Sequence, residues 1–231
     1  MRAYLDDGLA AAEAARRATT DELEPREAAQ TPGEGLLQEL ALALEGFDDA
    51  GAHRLIDRAL ATYTEESVVG ELVLPYLVEL GRKWEKGEIS VAQEHFASTL
   101  LRGRLLGLAR GWDQGVGPRA LLACLEGELH DIGLIAFGIG LYRRGWRITF
   151  LGANTPVETV AATAEDLSPA IVVLYVSDPQ KLVAAEARVR ALAGVHRVAI
   201  AGAGATRAAA EQIGAELLDH GPLVAARALT G

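Results

Sequence analysis

Five apolar runs alternate with helical segments over the second half of the chain, and this alternation constrains the fold more than any other feature. Strands that alternate regularly with helices build a parallel sheet covered by helices on both faces. We therefore predict an α/β domain over residues 117–231 with a five-stranded parallel sheet. The predicted strands are 120–125, 147–151, 170–176, 197–201 and about 215–218, and the predicted helices lie near 133–144, 157–166, 180–192, 206–212 and 222–230.

Residues 35–112 show helical spacing of apolar residues, which predicts a bundle of four helices. The third helix is expected over 66–85 with a kink at Pro75, and the fourth begins at Ser90, with Gln93 completing a capping box. The first two helices are marked by two apolar stripes: Leu36, Leu37, Leu40, Leu44 and Phe47, then Leu55, Ile56, Ala59, Leu60 and Tyr63.

Two segments lie outside these domains. Residues 111–118 combine glycines with a proline where the hydrophobic period changes, so they are interpreted as a linker. Residues 1–34 are rich in alanine and acids and interrupted by prolines, which indicates a helix-prone N-terminal arm to which we assign no chemistry.

Composition narrows the function classes. The net charge is -10, from 22 basic and 32 acidic residues, which argues against direct binding of nucleic acid. The single cysteine, Cys124, lies inside an apolar run and is interpreted as a core residue in a reducing compartment. We find no signal peptide and no apolar stretch that would span a membrane, so a cytoplasmic protein is expected.

The segment 128–133, Glu-Leu-His-Asp-Ile-Gly, follows the first predicted strand. Open parallel sheets bind ligands at the carboxyl ends of their strands, so His130 is placed to face a ligand. A lone loop histidine is more often simply solvated. The five histidines of the chain lack the spacing of a zinc site.

Trp84, Glu94 and His95 flank the turn between the third and fourth helices. All three could converge at one end of the bundle to cover a ligand. In the alternative interpretation Trp84 is a core aromatic and Glu94 only favours the helix N-terminus.

Gly202, Ala203 and Gly204 follow the fourth predicted strand, where small residues permit close approach of a ligand or of backbone. The dinucleotide pattern G-x-G-x-x-G and the phosphate-binding G-x-x-x-x-G-K-S/T run are both absent from the sequence.

Together these motifs resemble the cobalamin-binding module shared by corrinoid methyltransferase proteins and the CarH-type light-dependent regulators. The similarity covers about residues 36–231. The family's D-x-H-x-x-G corresponds to Glu128-x-His130-x-x-Gly133, its serine motif to Ser177, and its glycine pair to 202–204. Trp84-x9-Glu94-His95 is similar to the photoreceptor branch. Two departures are the Asp-Pro after Ser177 and the glutamate at position 128.

The resemblance implies a four-helix bundle followed by a flavodoxin-like domain that binds adenosylcobalamin. His130 would be the lower axial ligand of cobalt, with Glu128 or Asp131 accepting the other ring N–H. The dimethylbenzimidazole tail would enter a slot that Ser177 and the small residues border. The site residues implied are Trp84, Glu94, His95, Glu128, His130, Asp131, Ile132, Gly133, Ser177, Gly202, Ala203 and Gly204.

The same resemblance implies a light sensor, not an enzyme, that signals through a homo-oligomer or a regulatory protein partner. The alternatives are a corrinoid methyl carrier and a cobalamin store. Photocobilins, from the same family, also hold biliverdin, but Cys124 is badly placed for a thioether link. In the DNA-binding photoreceptors a histidine follows the tryptophan and binds cobalt after illumination, whereas this chain has Glu85 there.

Overall fold

The computed structural model describes residues 32–230, so most of the predicted N-terminal arm lies outside the described residues. The described chain forms a helical N-terminal part followed by a five-stranded parallel sheet with helices, which confirms the predicted fold class. The helices of the first part are α1 (Glu34–Glu45), α2 (Asp49–Thr62), α3 (Glu65–Ser67), a π-helical segment (Val68–Val73), α4 (Leu74–Glu85) and α5 (Val91–Leu108).

The third predicted helix is continuous from α3 to α4 but contains the π-helical segment immediately before Pro75. Proline has no N–H to donate and its ring clashes with the carbonyl four residues earlier, so the preceding turn widens. The Leu74 N–H accordingly donates to the Val69 carbonyl, five residues back. The capping box of α5 is present as predicted: the Ser90 side chain accepts from Gln93 N–H, and the Gln93 side chain accepts from Ser90 N–H.

The second part alternates strands and helices throughout. All pairings are parallel, and the strand order is β2-β1-β3-β4-β5. The strands are β1 (Arg119–Leu125), β2 (Arg147–Thr155), β3 (Ile171–Tyr175), β4 (Val198–Ala201) and β5 (Glu216–Leu218), and the helices are α6 (Ile132–Tyr142), α7 (Val157–Leu167), α8 (Pro179–Ala193), α9 (Arg207–Ile213) and α10 (Pro222–Ala228).

The two faces of β1 belong to different cores. Leu122 and Cys124 share a core with the helices of the bundle, whereas Leu121 and Ala123 pack with the helices on the other face. The period of two along a strand buried on both faces explains this division. The bundle is therefore fused to one face of the sheet by a common hydrophobic core.

The segment between the domains is also packed. Trp112 is buried against Gly138 of α6 and forms an edge-to-face pair with Phe150 of β2. Its carbonyl accepts from the Ile148 N–H at 2.7 Å. No helix within residues 32–230 is long and apolar enough to cross a membrane.

Candidate functional site

His130 lies in the loop after β1, and its side chain is 76% exposed. Its Nδ1 is 2.6 Å from Glu128 Oε1, and its backbone N–H donates to the same oxygen at 3.0 Å. An ionised carboxylate only accepts hydrogen bonds, so Nδ1 carries a proton, and the neutral form of this imidazole has its lone pair on Nε2. This neutral tautomer is the form that binds a metal.

Glu128 is fully buried, and one of its carboxylate oxygens is held by three donor groups of two residues. Its Oε2 accepts from the Ser177 N–H at 2.8 Å, from the Ser177 hydroxyl at 2.5 Å and from Lys181 Nζ at 3.1 Å. Burial by itself would raise the pKa of the Glu128 carboxyl, but the hydrogen bonds from Ser177 and His130 outweigh it and hold that pKa well below its usual range. Glu128 is therefore an ionised partner that fixes the imidazole.

Asn154 at the end of β2 fixes the same loop from the neighbouring strand. Its N–H donates to the Glu128 carbonyl at 2.8 Å, and its Oδ1 accepts from the Gly127 N–H at 2.7 Å. Asn154 adopts a left-handed conformation with φ of 52°, which asparagine tolerates better than most residues. A β-bulge precedes it, since the β1–β2 register shifts twice between Leu122 and Leu125.

Asp131, the other carboxylate considered for the imidazole, has a different partner. It is fully buried and receives both Nε and Nη2 of Arg102 from α5, at distances of 2.7–3.0 Å. The sequence left Glu128 and Asp131 open as partners of His130, and the geometry selects Glu128. Asp131 instead joins the loop to the bundle.

Ser177 was predicted to hydrogen-bond a cofactor tail, but its only proton is directed to Glu128. Its oxygen remains an acceptor. The hydrogen bond to a tail therefore stays a prediction, and in this arrangement Ser177 supports the carboxylate that orients His130.

The predicted glycine slot is partly occupied by backbone. A Cβ on Gly202 would lie 2.3 Å from the Val176 carbonyl oxygen, and one on Gly204 would lie 2.7 Å from the Asp178 carbonyl carbon. These glycines let the loop after β4 press against the loop that carries Ser177. Ala203 is exposed, and a Cβ on Gly133 would lie 3.6 Å from the Tyr175 ring, so these two residues are less confined than Gly202 and Gly204.

The upper group of predicted residues lies beside the turn 86–90. Trp84 is 49% exposed, so the interpretation of this tryptophan as a core aromatic is wrong. Glu94 Oε2 lies 2.6 Å from His95 Nδ1, and the His95 side chain is 74% exposed. An exposed indole and an exposed carboxylate–imidazole pair thus flank one turn of the bundle.

His95 and Arg102 lie on the same side of α5. Arg102, which contacts the His130 loop, is seven residues after His95, and seven residues bring a helix back to within roughly 20° of the same direction. The rise between the two residues is roughly 10 Å. His95 is therefore carried above the His130 loop by the helix that Arg102 anchors.

Sequence reasoning missed Lys181, Arg102 and Asn154. Lys181 follows Ser177 by one helical turn at the start of α8, and that spacing could have indicated it. Arg102 could have been found from its position on the His95 stripe of α5. Cys124 is buried, and burial raises the pKa of its thiol to about 12, which agrees with its interpretation as a core residue.

The site fits a cobalamin, because the cobalt of such a cofactor could take one neutral imidazole from the protein as a ligand. His130, with Nδ1 occupied and the ring exposed, is such a donor. Residues 36–106 and residues 118–222 each match a family described as B12 binding domain.

Two curated relatives from Myxococcus xanthus are similar to this chain. It is 34% identical to the HTH-type transcriptional repressor CarA over 75% of the chain and 57% of the relative. It is 32% identical to the HTH-type transcriptional repressor CarH over 71% of the chain and 53% of the relative. The chain thus spans a little over half the length of the curated relatives it matches.

A solved structure supports the fold. The Methanosarcina barkeri monomethylamine corrinoid protein superposes with a TM-score of 0.69 at 19% identity, covering 86% of this chain and 99% of that protein. The two matched domains cover most of the described residues, and the exposed, carboxylate-oriented histidine lies in the second of them. The chain therefore belongs to the family of B12-binding proteins.

Proposed function

We propose that this protein is a light sensor that holds adenosylcobalamin between its two domains, with His130 as the lower axial ligand. When bound, the cofactor supplies a cobalt–carbon bond that light can break. The observation that carries the proposal is an exposed, carboxylate-oriented His130 together with an exposed His95 on the side of α5 that contacts the His130 loop and an exposed Trp84 across the turn 86–90.

The residues below the cofactor would hold and orient the imidazole. Ionised Glu128 accepts the Nδ1 proton, which directs the Nε2 lone pair outward and raises the basicity of the ring. Ser177 in the loop after β3 and Lys181 at the start of α8 hold Glu128 in place. His130 therefore needs no rearrangement of its tautomer to become a ligand.

The residues above would cover the upper group. Trp84 offers an apolar surface of which half is exposed, and such a surface suits a bulky organic ligand better than solvent. Glu94 and His95 offer polar partners for the hydroxyls and base of an adenosyl group. Loss of that group would expose Trp84 to solvent. The output would then be a change in domain packing, oligomeric state or partner binding.

The test uses the protein reconstituted with adenosylcobalamin in the dark and then exposed to green light. We expect the absorption spectrum to change and the oligomeric state, measured by gel filtration with light scattering, to change with it. An unchanged spectrum and an unchanged oligomeric state after illumination would exclude the light-sensing function.

A corrinoid methyl carrier is the second candidate. The residue after Trp84 is Glu85, and His95 is hydrogen-bonded to Glu94. The upper side of the site is therefore more accessible to a methyl donor or acceptor than a closed adenosyl site would be. A carrier should retain methylcobalamin as well as adenosylcobalamin and accept a methyl group in its cob(I)alamin form from a partner methyltransferase. Preference for adenosylcobalamin distinguishes the sensor.

Biliverdin as a second chromophore is a separate question. The buried thiol of Cys124 excludes that residue as a covalent attachment point in this arrangement. Titration of the cobalamin-bound protein with biliverdin tests noncovalent binding: a new red-absorbing band would add the bilin to the proposal, and no band at any ratio would remove it.

A further inference from the structure

Helix α6, which begins beside His130, is joined to the bundle by an ion pair at each end. It contributes the acid to the pair at its N-terminus and the base to the pair at its C-terminus. At its N-terminus Asp131 receives Arg102 of α5, and after its C-terminus Arg144 donates to Glu66 of α3 at 2.8 Å. An acid at the N-terminus and a base at the C-terminus both complement the helix dipole. At the rise of an α-helix, residues 131 and 144 are separated by roughly 19 Å along the axis of α6.

The pair at the His130 end has the more demanding geometry. Asp131 is fully buried, does not cap its own helix, and engages both oxygens with the guanidinium of Arg102 at 2.7–3.0 Å. A buried carboxylate held by two donors of a planar fork has one orientation, whereas the compact ammonium of lysine would leave the orientation free. The pair therefore fixes both the distance and the orientation of α5 relative to the His130 loop.

The consequence for the site follows from the course of α5. Asp131 is adjacent to His130 in the chain, and Arg102 lies two helical turns from His95 on the same side of α5. A shift of Arg102 relative to Asp131 would move the His95 end of the helix relative to the imidazole of His130. The separation between His130 and His95 is thus set by the contact between Arg102 and Asp131, which involves neither histidine.

We propose that Arg102 and Asp131 form a positioning pair that sets the separation between the lower and upper halves of the site and thereby determines which upper axial group the protein retains. This inference rests on the proposed binding of cobalamin between the domains. The separation fixed by the bidentate contact would accommodate the adenosyl group under Trp84. Loosening the contact would weaken the contacts above the cofactor while His130 and Glu128 stay in place.

The test compares Arg102→Lys, which keeps the charge but loses the fork, with Arg144→Lys, the same change at the other end of α6. Each protein is loaded with adenosylcobalamin or hydroxocobalamin in the dark, and the dissociation rate of each is measured spectroscopically. We expect Arg102→Lys to reduce the preference for the adenosyl form by about fivefold or more, the lower end of usual coupling between two sites. Arg144→Lys should leave that preference unchanged.

A second readout needs no cofactor. Hydrogen exchange of the amides at 95–102 of α5 in the cobalamin-free protein should become faster in Arg102→Lys and stay unchanged in Arg144→Lys, since only the first change frees α5 from the His130 loop. Wild-type protein that retains no cobalamin would exclude the proposed function and this role with it. A wild-type preference for adenosylcobalamin that persists in Arg102→Lys, or is lost equally in Arg144→Lys, would overturn only the role of the pair.

Discussion

Lys181 Nζ lies 3.1 Å from Oε2 of Glu128, the fully buried carboxylate that orients His130. Replacing Glu128 by Gln keeps the shape but leaves Lys181 without its charged partner. Because breaking a buried pair leaves an uncompensated charge, we expect the free energy of unfolding of the cobalamin-free protein to fall by about 3 kcal/mol. Urea unfolding measures it, with Glu126→Gln, an exposed glutamate of the same loop, as the control.

The same variant predicts a pH dependence. The folded pKa of Glu128 is depressed, so its contribution to stability is complete above the ordinary glutamate pKa of about 4.3 and is lost as the pH falls below that value toward the folded pKa. Unfolding free energies measured between neutral pH and pH 3 should therefore decline more steeply for the wild type than for Glu128→Gln. Parallel curves for the two proteins would show that folding does not lower the pKa of Glu128.

Replacing His130 by Ala should remove the lower ligand and shift bound hydroxocobalamin to a base-off spectrum. Loss of a residue that only orients a metal ligand usually weakens binding by about 10–100-fold, so loss of the ligand should cost at least as much. The side chain is 76% exposed, but its Nδ1–H serves the buried Glu128 carboxylate, so the unfolding free energy of the cobalamin-free protein should fall by about 1.5 kcal/mol. His196→Ala, before β4, is the matched control, and an unchanged spectrum in His130→Ala would require another ligand.

Replacing Trp84 by Ala should accelerate dissociation of adenosylcobalamin more than that of hydroxocobalamin, because in the proposed arrangement the indole would contact only the upper group. Half of the side chain is exposed, so we expect a stability loss below about 1 kcal/mol in the cobalamin-free protein. Val78→Ala, an exposed apolar residue on the same helix, controls for general effects on α4. Equal acceleration for both cobalamins would limit Trp84 to a structural role.

Glu85 predicts how the illuminated protein behaves. A carboxylate is a harder donor than imidazole and a poorer partner for this cobalt, so the upper position after light should hold water or hydroxide and exchange quickly with added imidazole or cyanide. Glu85→His should slow that exchange, whereas Lys86→His, one residue further, should not. A bis-imidazole spectrum in the illuminated wild type that disappears in His95→Ala would contradict this prediction.

Tyr76 offers a stability test inside the bundle. Its hydroxyl is buried without a hydrogen-bond partner among the described residues, and burial raises the pKa of the phenol above its usual value. An unsatisfied buried hydroxyl costs free energy, so Tyr76→Phe should stabilise the protein by about 1 kcal/mol. Thermal unfolding measures the change, and a destabilised variant would indicate a partner for the hydroxyl.

Much of the architecture could be predicted because it depends on local pattern. The strand 120–125 lies within one residue of β1, and Ser90 and Gln93 form the capping box that their spacing indicates. The end of β2 could not be placed, since Gly152 and Asn154 extend the strand through positive φ angles that periodicity does not report.

The partners within the site were harder to predict because they depend on distances between separate elements. The contact of Asp131 with Arg102 joins residues 29 positions apart, and that of Glu128 with Lys181 joins residues 53 apart. Sequence spacing alone therefore left two candidates for the partner of His130. The exposure of Trp84 also depends on how α4 packs, which its apolar pattern does not determine.

The close approach of Gly202 and Gly204 to the backbone of 176–179 has a mechanical consequence. The Gly204 N–H donates to the Val176 carbonyl, and Val176 in turn donates to Ala201, so the loops after β3 and β4 are joined without intervening side chains. Such a junction is stiff because it has no rotamers to adjust. Any ligand that displaces Ser177 must move both loops together. A displacement of Ala203 is likewise transmitted to Glu128 through the two joined loops.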